Sequence, residues 1–249
     1  MNRSNRDLAI HYARCSAIAY RDQATKEELK ELGYSKAKLI SFESAQCMIF
    51  ENTKEITLAF RGTEPTQVKD VIADLKAWKH KSQVTVGKVH DGFYDELKKV
   101  WDQVTAHINK GKAKEKTLHI TGHSLGDGMA TIAASRLKNR VKNVYTYGSP
   151  RVGNKRWVNV NSDFDYQRFV NNNDIVPKVP LWIMGYRHCG KLQYINHYGD
   201  FRSATFWQRA KDGVRGRWAA AKQWSLLDGL SDHSINCYID KLENPIPRK

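Results

Sequence analysis

The feature that most restricts how this chain can fold is the segment Gly-His-Ser-Leu-Gly at residues 122–126. A run typical of a short strand, 117–121, leads directly into it, and a run typical of a helix, 124–139, follows. So sharp a turn strains the serine backbone, which is tolerated when the flanking residues lack side chains. Gly-x-Ser-x-Gly is a weak pattern alone. Between a strand and a helix it predicts an exposed serine nucleophile at the end of a strand.

The rest of the chain alternates between strand-like and helical patterns. The strand-like runs are 38–42, 46–51, 55–61, 117–121, 141–147 and 167–171, and the helical patterns cover 5–32, 92–110 and 124–139. The first three strands are joined by short turns and predict an antiparallel edge, whereas the later strands alternate with helices and predict parallel pairing. We therefore expect a single α/β domain over residues 1–249, without an internal repeat or a linker.

Composition bears on location and cofactor chemistry. Hydrophobic residues make up 41% and charged residues 27% of the chain, as in soluble globular proteins. The start lacks the apolar run of a secretory signal, and no stretch approaches the roughly 20 apolar residues that cross a bilayer. Cys15, Cys47, Cys189 and Cys237 form no CxxC pair, so we expect free thiols in a cytoplasmic protein, with export without a cleaved signal as the alternative. We expect no metal and no cofactor.

A serine nucleophile needs a histidine base that a carboxylate orients. In α/β folds with this motif the chain order is serine, acid, histidine. Asp174 follows the predicted strand 167–171 and therefore lies where an acid is needed, at the carboxyl end of a strand. Asp163 and Asp165 precede the strand, so we expect them to be solvated loop carboxylates.

Three histidines follow the proposed acid. His188 lies in a strand-like run, His197 lies in a polar loop, and His233 lies where a C-terminal helix begins at Ser234. A junction between a loop and a helix holds a base firmly while leaving its ring exposed. Position alone therefore favours His233, while His188 and His197 stay open as alternatives.

The oxyanion that forms during acyl transfer needs two hydrogen-bond donors. One is expected from the residue after the nucleophile, the amide of Leu125. The other should come from a loop after an earlier strand, and Thr63, which follows the strand 55–61, offers both an amide and a hydroxyl. Loss of one such donor typically slows turnover by about 100- to 1000-fold.

Five motifs in order resemble those of the class 3 lipases, the group related to the filamentous-fungal triacylglycerol lipases. They are residues 59–63, 89–93, 122–126, 147–154 and 232–234. The resemblance implies an α/β-hydrolase fold: a mostly parallel central sheet with helices on both faces, a nucleophile elbow and a short lid helix. It also implies hydrolysis of acylglycerol-type lipid esters through a Ser-His-Asp triad and an acyl-enzyme intermediate.

The resemblance assigns residues as well as a fold. It places the nucleophile at Ser124, the acid at Asp174 and the base at His233, and the oxyanion donors at Thr63 and Leu125.

The resemblance also implies a lid over the acyl pocket, at about residues 64–81. Within that range Val68, Val71, Ile72 and Leu75 form an apolar stripe at helical spacing, as a lid helix requires. An ordinary surface helix, packed down permanently, would show the same stripe.

One residue departs from the family pattern. The family usually continues Gly-His-Ser-Leu-Gly with another glycine, whereas this chain has Asp127. A carboxylate in the first turn of a helix is favoured by the helix dipole, by about 0.3–1 kcal/mol. The same charge would oppose an oxyanion if it faced the site, and would matter little if it faced solvent.

The chain carries a formal net charge of +15. Between Lys178 and Lys222 nine Lys or Arg residues stand against Asp200 and Asp212, a net charge of +7, and tryptophans are interleaved among them. Such a surface suits an anionic membrane or lipid interface, and an ordinary solvated helix is the alternative. No recognised nucleic-acid fold accompanies the charge, which argues against nucleic acid. Nothing in the sequence indicates an oligomeric state.

The expected function is therefore that of a lipase acting on acylglycerol-type lipid esters. A phospholipase A-type hydrolase on anionic membranes is the close alternative, supported by the basic surface. A weakly active lipid-binding homologue is the second alternative, supported by Asp127.

Overall fold

A computed structural model describes residues 3–63, 70, 80–82, 86–161, 163, 165–172, 174–196, 199, 201–202 and 232–245. Among these residues, no helix combines the length and the apolar character needed to cross a membrane.

The described residues form two sheets. Their strands are β1 (Lys36–Phe42), β2 (Ala45–Glu51), β3 (Glu55–Phe60), β4 (His80–Ser82), β5 (Lys88–His90), β6 (Thr117–His123), β7 (Val141–Tyr147), β8 (Gly153–Asn154), β9 (Asp165–Asn171), β10 (Tyr186–Arg187), β11 (Lys191–Ile195) and β12 (Phe201–Arg202). The large sheet has the order β1-β2-β3-β6-β7-β9-β11-β12, and the small one has the order β10-β8-β5-β4.

The large sheet is parallel at its centre. Strands β3, β6, β7, β9 and β11 pair in parallel. The pairs β1–β2, β2–β3 and β11–β12 are antiparallel. The mostly parallel sheet and its antiparallel edge are therefore confirmed. Because the carboxyl ends of parallel strands meet at one edge of a sheet, β6 and β9 present the residues that follow them on the same edge.

Helices cover both faces of the large sheet. They are α1 (Arg3–Ile18), α2 (Lys26–Glu31), α3 (Asp91–Ile108), α4 (Leu125–Arg136), α5 (Lys155–Val160) and α6 (Ile235–Glu243), with short 3-10 helices at Gly111–Glu115, Val176–Lys178 and Trp182–Met184. Helices α3 and α4 pack together on one face, and α1 and α6 pack together on the other.

Helix α3 shows why these residues form a surface helix. Phe93, Leu97, Val100, Val104 and Ile108 recur at helical spacing, and all five are buried. The opposite side of the helix is polar and exposed. The helix agrees with the helical pattern over residues 92–110.

Helix α4 is different, because it is buried on all sides from Gly126 to Ser135. Its small residues let it pack closely between the sheet and α3. A carbon added at Gly128 would overlap the ring of Phe93. From Gly126 to Ser135 every side chain therefore faces protein rather than solvent.

A buried carboxylate joins three elements at one end of the sheet. Glu51, the last residue of β2, receives hydrogen bonds from Lys116 Nζ at 2.6 Å, Lys36 Nζ at 3.1 Å and His107 Nε2 at 3.1 Å. Burial alone would raise the pKa of Glu51, but these partners outweigh burial and hold the pKa at about 2.

The helical pattern over 5–32 is two helices, α1 and α2, and the second agrees with the helix that residues 27–30 indicate. Other parts of the sequence prediction are corrected by the structure. The central helix ends at Arg136 rather than at residue 139. Strands β4, β5, β8, β11 and β12 are not predicted, because each is only two to five residues long. Strand β10 lies in the strand-like run that contains His188.

Candidate active site

Ser124 occupies the turn between β6 and α4. Its backbone has φ 60° and ψ −127°, a conformation that non-glycine residues rarely adopt. The chain can turn here because the residues at positions 122 and 126 have no side chains. A carbon added at Gly126 would overlap the carbonyl of Phe60, and one added at Gly122 would lie 2.7 Å from the carbonyl oxygen of Gly126. The Ser124 amide donates to the carbonyl of Tyr147 at 3.1 Å, which fixes the turn against β7.

The structure brings Ser124, His233 and Asp174 together, although 109 and 59 residues separate the paired positions along the chain. His233 Nε2 lies 2.8 Å from Ser124 Oγ. His233 Nδ1 lies 2.9 Å and 3.0 Å from the two carboxylate oxygens of Asp174. A carboxylate accepts, so Nδ1 carries the proton and Nε2 is free to accept the hydroxyl proton of the serine. All three side chains are buried, so the exposed serine and the exposed imidazole ring that the sequence predicts are not observed.

Two further donors hold the Asp174 carboxylate. The amide of Val176 donates to Oδ1 at 2.9 Å, and the hydroxyl of Tyr238 donates to Oδ2 at 2.6 Å. The amide of Asn171 in turn donates to the Tyr238 oxygen at 3.0 Å. Burial, and then the charge of Asp174, raise the pKa of Tyr238 well above its ordinary value, so the hydroxyl keeps its proton.

His123, the residue before the serine, contacts His233 directly. His123 Nε2 lies 2.6 Å from the backbone carbonyl of His233, and the hydroxyl of Tyr20 lies 2.6 Å from His123 Nδ1. The carbonyl can only accept, so Nε2 donates and Nδ1 accepts from Tyr20. The two imidazole rings also stack, with centroids 4.6 Å apart. Burial, and then the neighbouring His233, lower the pKa of His123 well below its ordinary value, so His123 is neutral.

The predicted oxyanion donors border the serine. Leu125 is the first residue of α4, so its amide has no acceptor within the helix. Thr63 lies in the loop after β3, and that loop runs beside the turn: a carbon added at Gly62 would lie 2.9 Å from the Cβ of Ser124. Both residues are partly exposed.

Asp127 is fully buried, so its carboxyl does not face solvent. The backbone of Tyr147 lies close to it, but neither oxygen forms a well-aligned hydrogen bond with a described residue. Burial, and then the charge of Asp174, raise the pKa of Asp127 well above its ordinary value. A carboxyl that keeps its proton to higher pH brings less negative charge near the oxyanion than an ordinary aspartate would.

The alternative acids and bases lie elsewhere. His188 Nε2 contacts the carbonyl of Pro177 at 3.0 Å rather than the serine. Asp165 begins β9, at the opposite end of the strand from Asp174, and Asp163 contacts Lys138. His197 lies outside the described residues. Nearly all of the predicted lid, 64–81, and all of the basic stretch after Arg202 also lie outside the described residues.

Among the described residues, no group of three His, Cys, Asp or Glu side chains is arranged to hold a metal ion.

Sequence reasoning missed the residues that support the base. His123 lies inside the motif itself, where a histidine next to the nucleophile was a usable signal. Tyr238 lies five residues after His233 on α6, so its side chain points back toward the start of the helix. Nothing local marks Tyr20, which reaches the site from the turn after α1.

The fold and this site define an α/β-hydrolase with a serine, a histidine and an aspartate in hydrogen-bonding order. The family described as Lipase (class 3) matches residues 57–184, slightly more than half of the chain. The chain belongs to the class 3 lipase family, and the resemblance drawn from the five motifs is confirmed.

Two secreted fungal lipases are among the relatives of this chain. The chain is 34% identical over 147 residues to the secreted mono- and diacylglycerol lipase 1 of Fusarium solani, covering 54% of this chain and 42% of that protein. It is 34% identical over 165 residues to the secreted mono- and diacylglycerol lipase A of Penicillium cyclopium, covering 64% and 53%. The chain thus spans about half the length of these curated relatives.

The solved structure of Rhizomucor miehei lipase in its propeptide complex has a similar fold. It superimposes with a TM-score of 0.65 at 26% identity, covering 78% of this chain and 70% of that one.

The expected cytoplasmic location is wrong, because two of these relatives are named as secreted lipases. The four cysteines are free, as predicted. Free thiols are not evidence of a reducing compartment here, because a domain with a core of this size does not depend on disulfides for its stability.

Proposed function

We propose that this protein hydrolyses the carboxylic esters of lipids, with Ser124 as nucleophile, His233 as base and Asp174 as the acid that orients it. The observation that carries the proposal is the continuous hydrogen-bonded chain from Ser124 Oγ through His233 to Asp174, built on a strained turn. A buried serine of purely structural importance would have no need of a histidine that a carboxylate orients.

The geometry supports a double-displacement reaction. His233 Nε2 takes the proton of Ser124 as Oγ bonds to the acyl carbon, and the imidazolium that forms is stabilised by Asp174. The tetrahedral intermediate collapses as His233 returns the proton to the departing alcohol, leaving an acyl-enzyme. Water, deprotonated by His233, then attacks the acyl carbon and releases the fatty acid and the free serine.

The oxyanion of both intermediates would accept hydrogen bonds from Leu125 and Thr63. The Leu125 amide is supported by its place at the start of α4, where the helix dipole also favours negative charge. Thr63 is supported by the course of its loop beside Ser124. Thr63→Val keeps the amide and removes the hydroxyl, so a fall in kcat of about 100-fold would assign the hydroxyl as the donor.

Acylglycerols are the favoured substrate class, because the relatives from Fusarium solani and Penicillium cyclopium are named mono- and diacylglycerol lipases. A phospholipase A-type activity is the second candidate, favoured by the net charge of +15. Parallel assays on diacylglycerol and on phosphatidylglycerol, in the same detergent micelles, separate the two.

The test of the mechanism compares Ser124→Ala with the parent in hydrolysis of a para-nitrophenyl acyl ester and in labelling by a fluorophosphonate probe. We expect Ser124→Ala to lose both, because only an activated serine reacts with the probe. Ser135→Ala is the matched control, since Ser135 is also buried and lies on α4, the helix that follows Ser124, where its hydroxyl donates to the carbonyl of Ile132. Full hydrolysis by Ser124→Ala would refute the mechanism. A parent that the probe does not label would favour the lipid-binding homologue.

Contact with an anionic lipid interface is a further part of the proposal. Leu181, Trp182, Ile183 and Met184 are consecutive exposed apolar residues, and Trp182 and Ile183 are 62% and 70% exposed. The guanidinium of Arg187 lies 5.9 Å from the centre of the Trp182 ring and donates to the Trp182 carbonyl at 2.8 Å. Apolar side chains beside a fixed cation suit insertion among anionic headgroups.

A flotation assay with phosphatidylglycerol and phosphatidylcholine vesicles tests this contact. The double variant Trp182→Ser, Ile183→Ser should bind phosphatidylglycerol vesicles at least tenfold more weakly than the parent, while hydrolysis of a water-soluble ester stays unchanged. Phe42→Ser is the control, because Phe42 is 52% exposed on β1. Equal binding by the double variant and the parent would contradict the contact.

A further inference from the structure

A cavity of about 220 Å³ lies behind the proposed catalytic acid, at the end of β9 and β11. Arg168 and Val170 of β9 line it, and so do Leu192 and Tyr194, their partners in register on β11. Side chains alternate along a strand, and Phe169 between them packs against α1 and α6. The cavity therefore opens on the opposite face of the sheet, away from those helices.

Arg168 is a buried cation at the wall of this cavity. It is only 7% exposed, and no acid among the described residues forms an ion pair with it. Its Nε is buried without a hydrogen-bond partner. Burial, the main cause, lowers the pKa of Arg168 only to about 10, so the guanidinium stays charged at neutral pH. A buried charge of this kind is strongly destabilising unless something compensates it.

Two more cations line the same cavity. Arg151 is half-buried and donates to the carbonyls of Lys178 at 2.5 Å and Pro180 at 2.8 Å, so the loop holds its guanidinium in place. Lys178 is exposed and lies at the cavity wall. The same wall contains His188. The pKa of His188 lies well below its ordinary value, because of burial and then because of the charges of Arg168 and Arg151. The wall is cationic even though this histidine is neutral.

One acid lines the cavity, and its hydrogen-bonding capacity is already used. Asp174 accepts from Val176, His233 and Tyr238. These contacts hold the carboxylate of Asp174 against the imidazole of His233 rather than against the guanidinium of Arg168.

We propose that this cavity binds a phosphate group, either as free phosphate or as the phosphate of a lipid headgroup. Three cationic side chains around one compact space match a group that carries more than one negative charge, which a single carboxylate does not. Arg168 supplies the buried, directional donors, and Lys178 supplies charge at the accessible side. This site is independent of the ester-hydrolysis proposal, since its occupancy requires no turnover.

Thermal unfolding of the whole protein tests the proposal. Inorganic phosphate at ten times its Kd should raise Tm by about 3–6 °C over chloride at the same ionic strength, because a ligand that binds only the folded state stabilises it. Acetate should give less than a third of that rise. Equal rises in acetate and phosphate would overturn the assignment to phosphate, and no rise in phosphate or with lipid would overturn the site.

Variants separate binding from a merely structural use of Arg168. In chloride, Arg168→Met should be as stable as the parent or more stable, because it removes a buried unpaired charge. In phosphate the order should reverse, with the parent more stable. An arginine that only anchors the loop would leave the variant less stable in both buffers, which would overturn the proposal. Arg156→Met, on the exposed side of α5, is the control.

A second variant covers failure of Arg168→Met to fold. Lys178→Gln changes an exposed side chain and should weaken phosphate binding at least threefold by titration calorimetry; unchanged binding would contradict the proposal. Vesicles of phosphatidic acid identify the source of the phosphate. A rise in Tm with soluble phosphate supports the free anion, and a rise only with phosphatidic acid supports the headgroup.

Discussion

Replacing Asp127 by asparagine tests whether the odd residue of the motif is a neutral acid. The carboxyl is fully buried, and its pKa is raised well above the ordinary value by burial and then by the charge of Asp174. Asparagine has nearly the same shape and cannot ionise. Because neither oxygen of Asp127 forms a well-aligned hydrogen bond with a described residue, the substitution removes no strong interaction.

The magnitude follows from the protons that each state binds. An unfolded aspartate loses its proton near pH 3.9, whereas the folded protein keeps the proton on Asp127 to higher pH. The folded state then binds more protons, so stability falls as pH rises, by about 1.4 kcal/mol per pH unit up to the folded pKa. Asp127→Asn lacks this loss. The free energy of unfolding of the variant should be nearly equal to that of the parent at pH 4. At pH 7 it should exceed that of the parent by about 4 kcal/mol, for a carboxyl that stays neutral throughout.

Urea unfolding of parent and variant at pH 4, 5, 6 and 7 measures the difference. Asp95→Asn, at an exposed position on α3, is the control and should give a difference that does not grow with pH. The kcat/KM of Asp127→Asn should stay within about threefold of the parent, and Asp127→Gly should be equally or more active. A difference independent of pH, or a variant less stable than the parent at pH 7, would refute the reasoning.

Three other substitutions test neighbouring features. Tyr238→Phe removes a donor from Asp174 and should lower kcat about tenfold with little change in KM, along with about 1 kcal/mol of stability; steady-state kinetics with an unchanged kcat would contradict the contact. Glu51→Gln should lose about 3 kcal/mol at pH 7, because a folded pKa of about 2 stabilises the protein above pH 4.5, and this advantage disappears as pH falls toward 2. Urea unfolding at both ends of that range checks it, and equal stability at pH 7 would count against it. Gly148→Ala adds a carbon at φ 72°, 2.8 Å from both Asp174 and His233. It should lower kcat/KM at least 100-fold in a protein whose circular dichroism is unchanged. Retained activity would show that these two side chains can move aside without loss of function.

Local patterns predicted those parts of the site that local chain geometry determines. The turn at Ser124 could be anticipated because strand, turn and helix are consecutive, and the acid because Asp174 directly follows a strand. The orientation of Asp127 could not be read from the sequence. It depends on α4 being buried on every side, which follows from how sheet and helices pack around it.

Contacts between distant segments were beyond sequence reasoning. The hydroxyl of Tyr20 meets a ring 103 positions away, and that of Tyr238 meets a carboxylate 64 positions away. The unpaired charge of Arg168 was equally hidden, because on a strand it alternates with buried residues like any exposed cation. Only packing shows that this position faces a cavity.

The hydrogen bond from His123 to the backbone of His233 has a consequence for how the chain can vary. The base is aligned by the same rigid turn that carries the nucleophile. A substitution that shifts this turn therefore shifts both reacting groups together, so small movements of the sheet leave the distance between Ser124 Oγ and His233 Nε2 nearly unchanged.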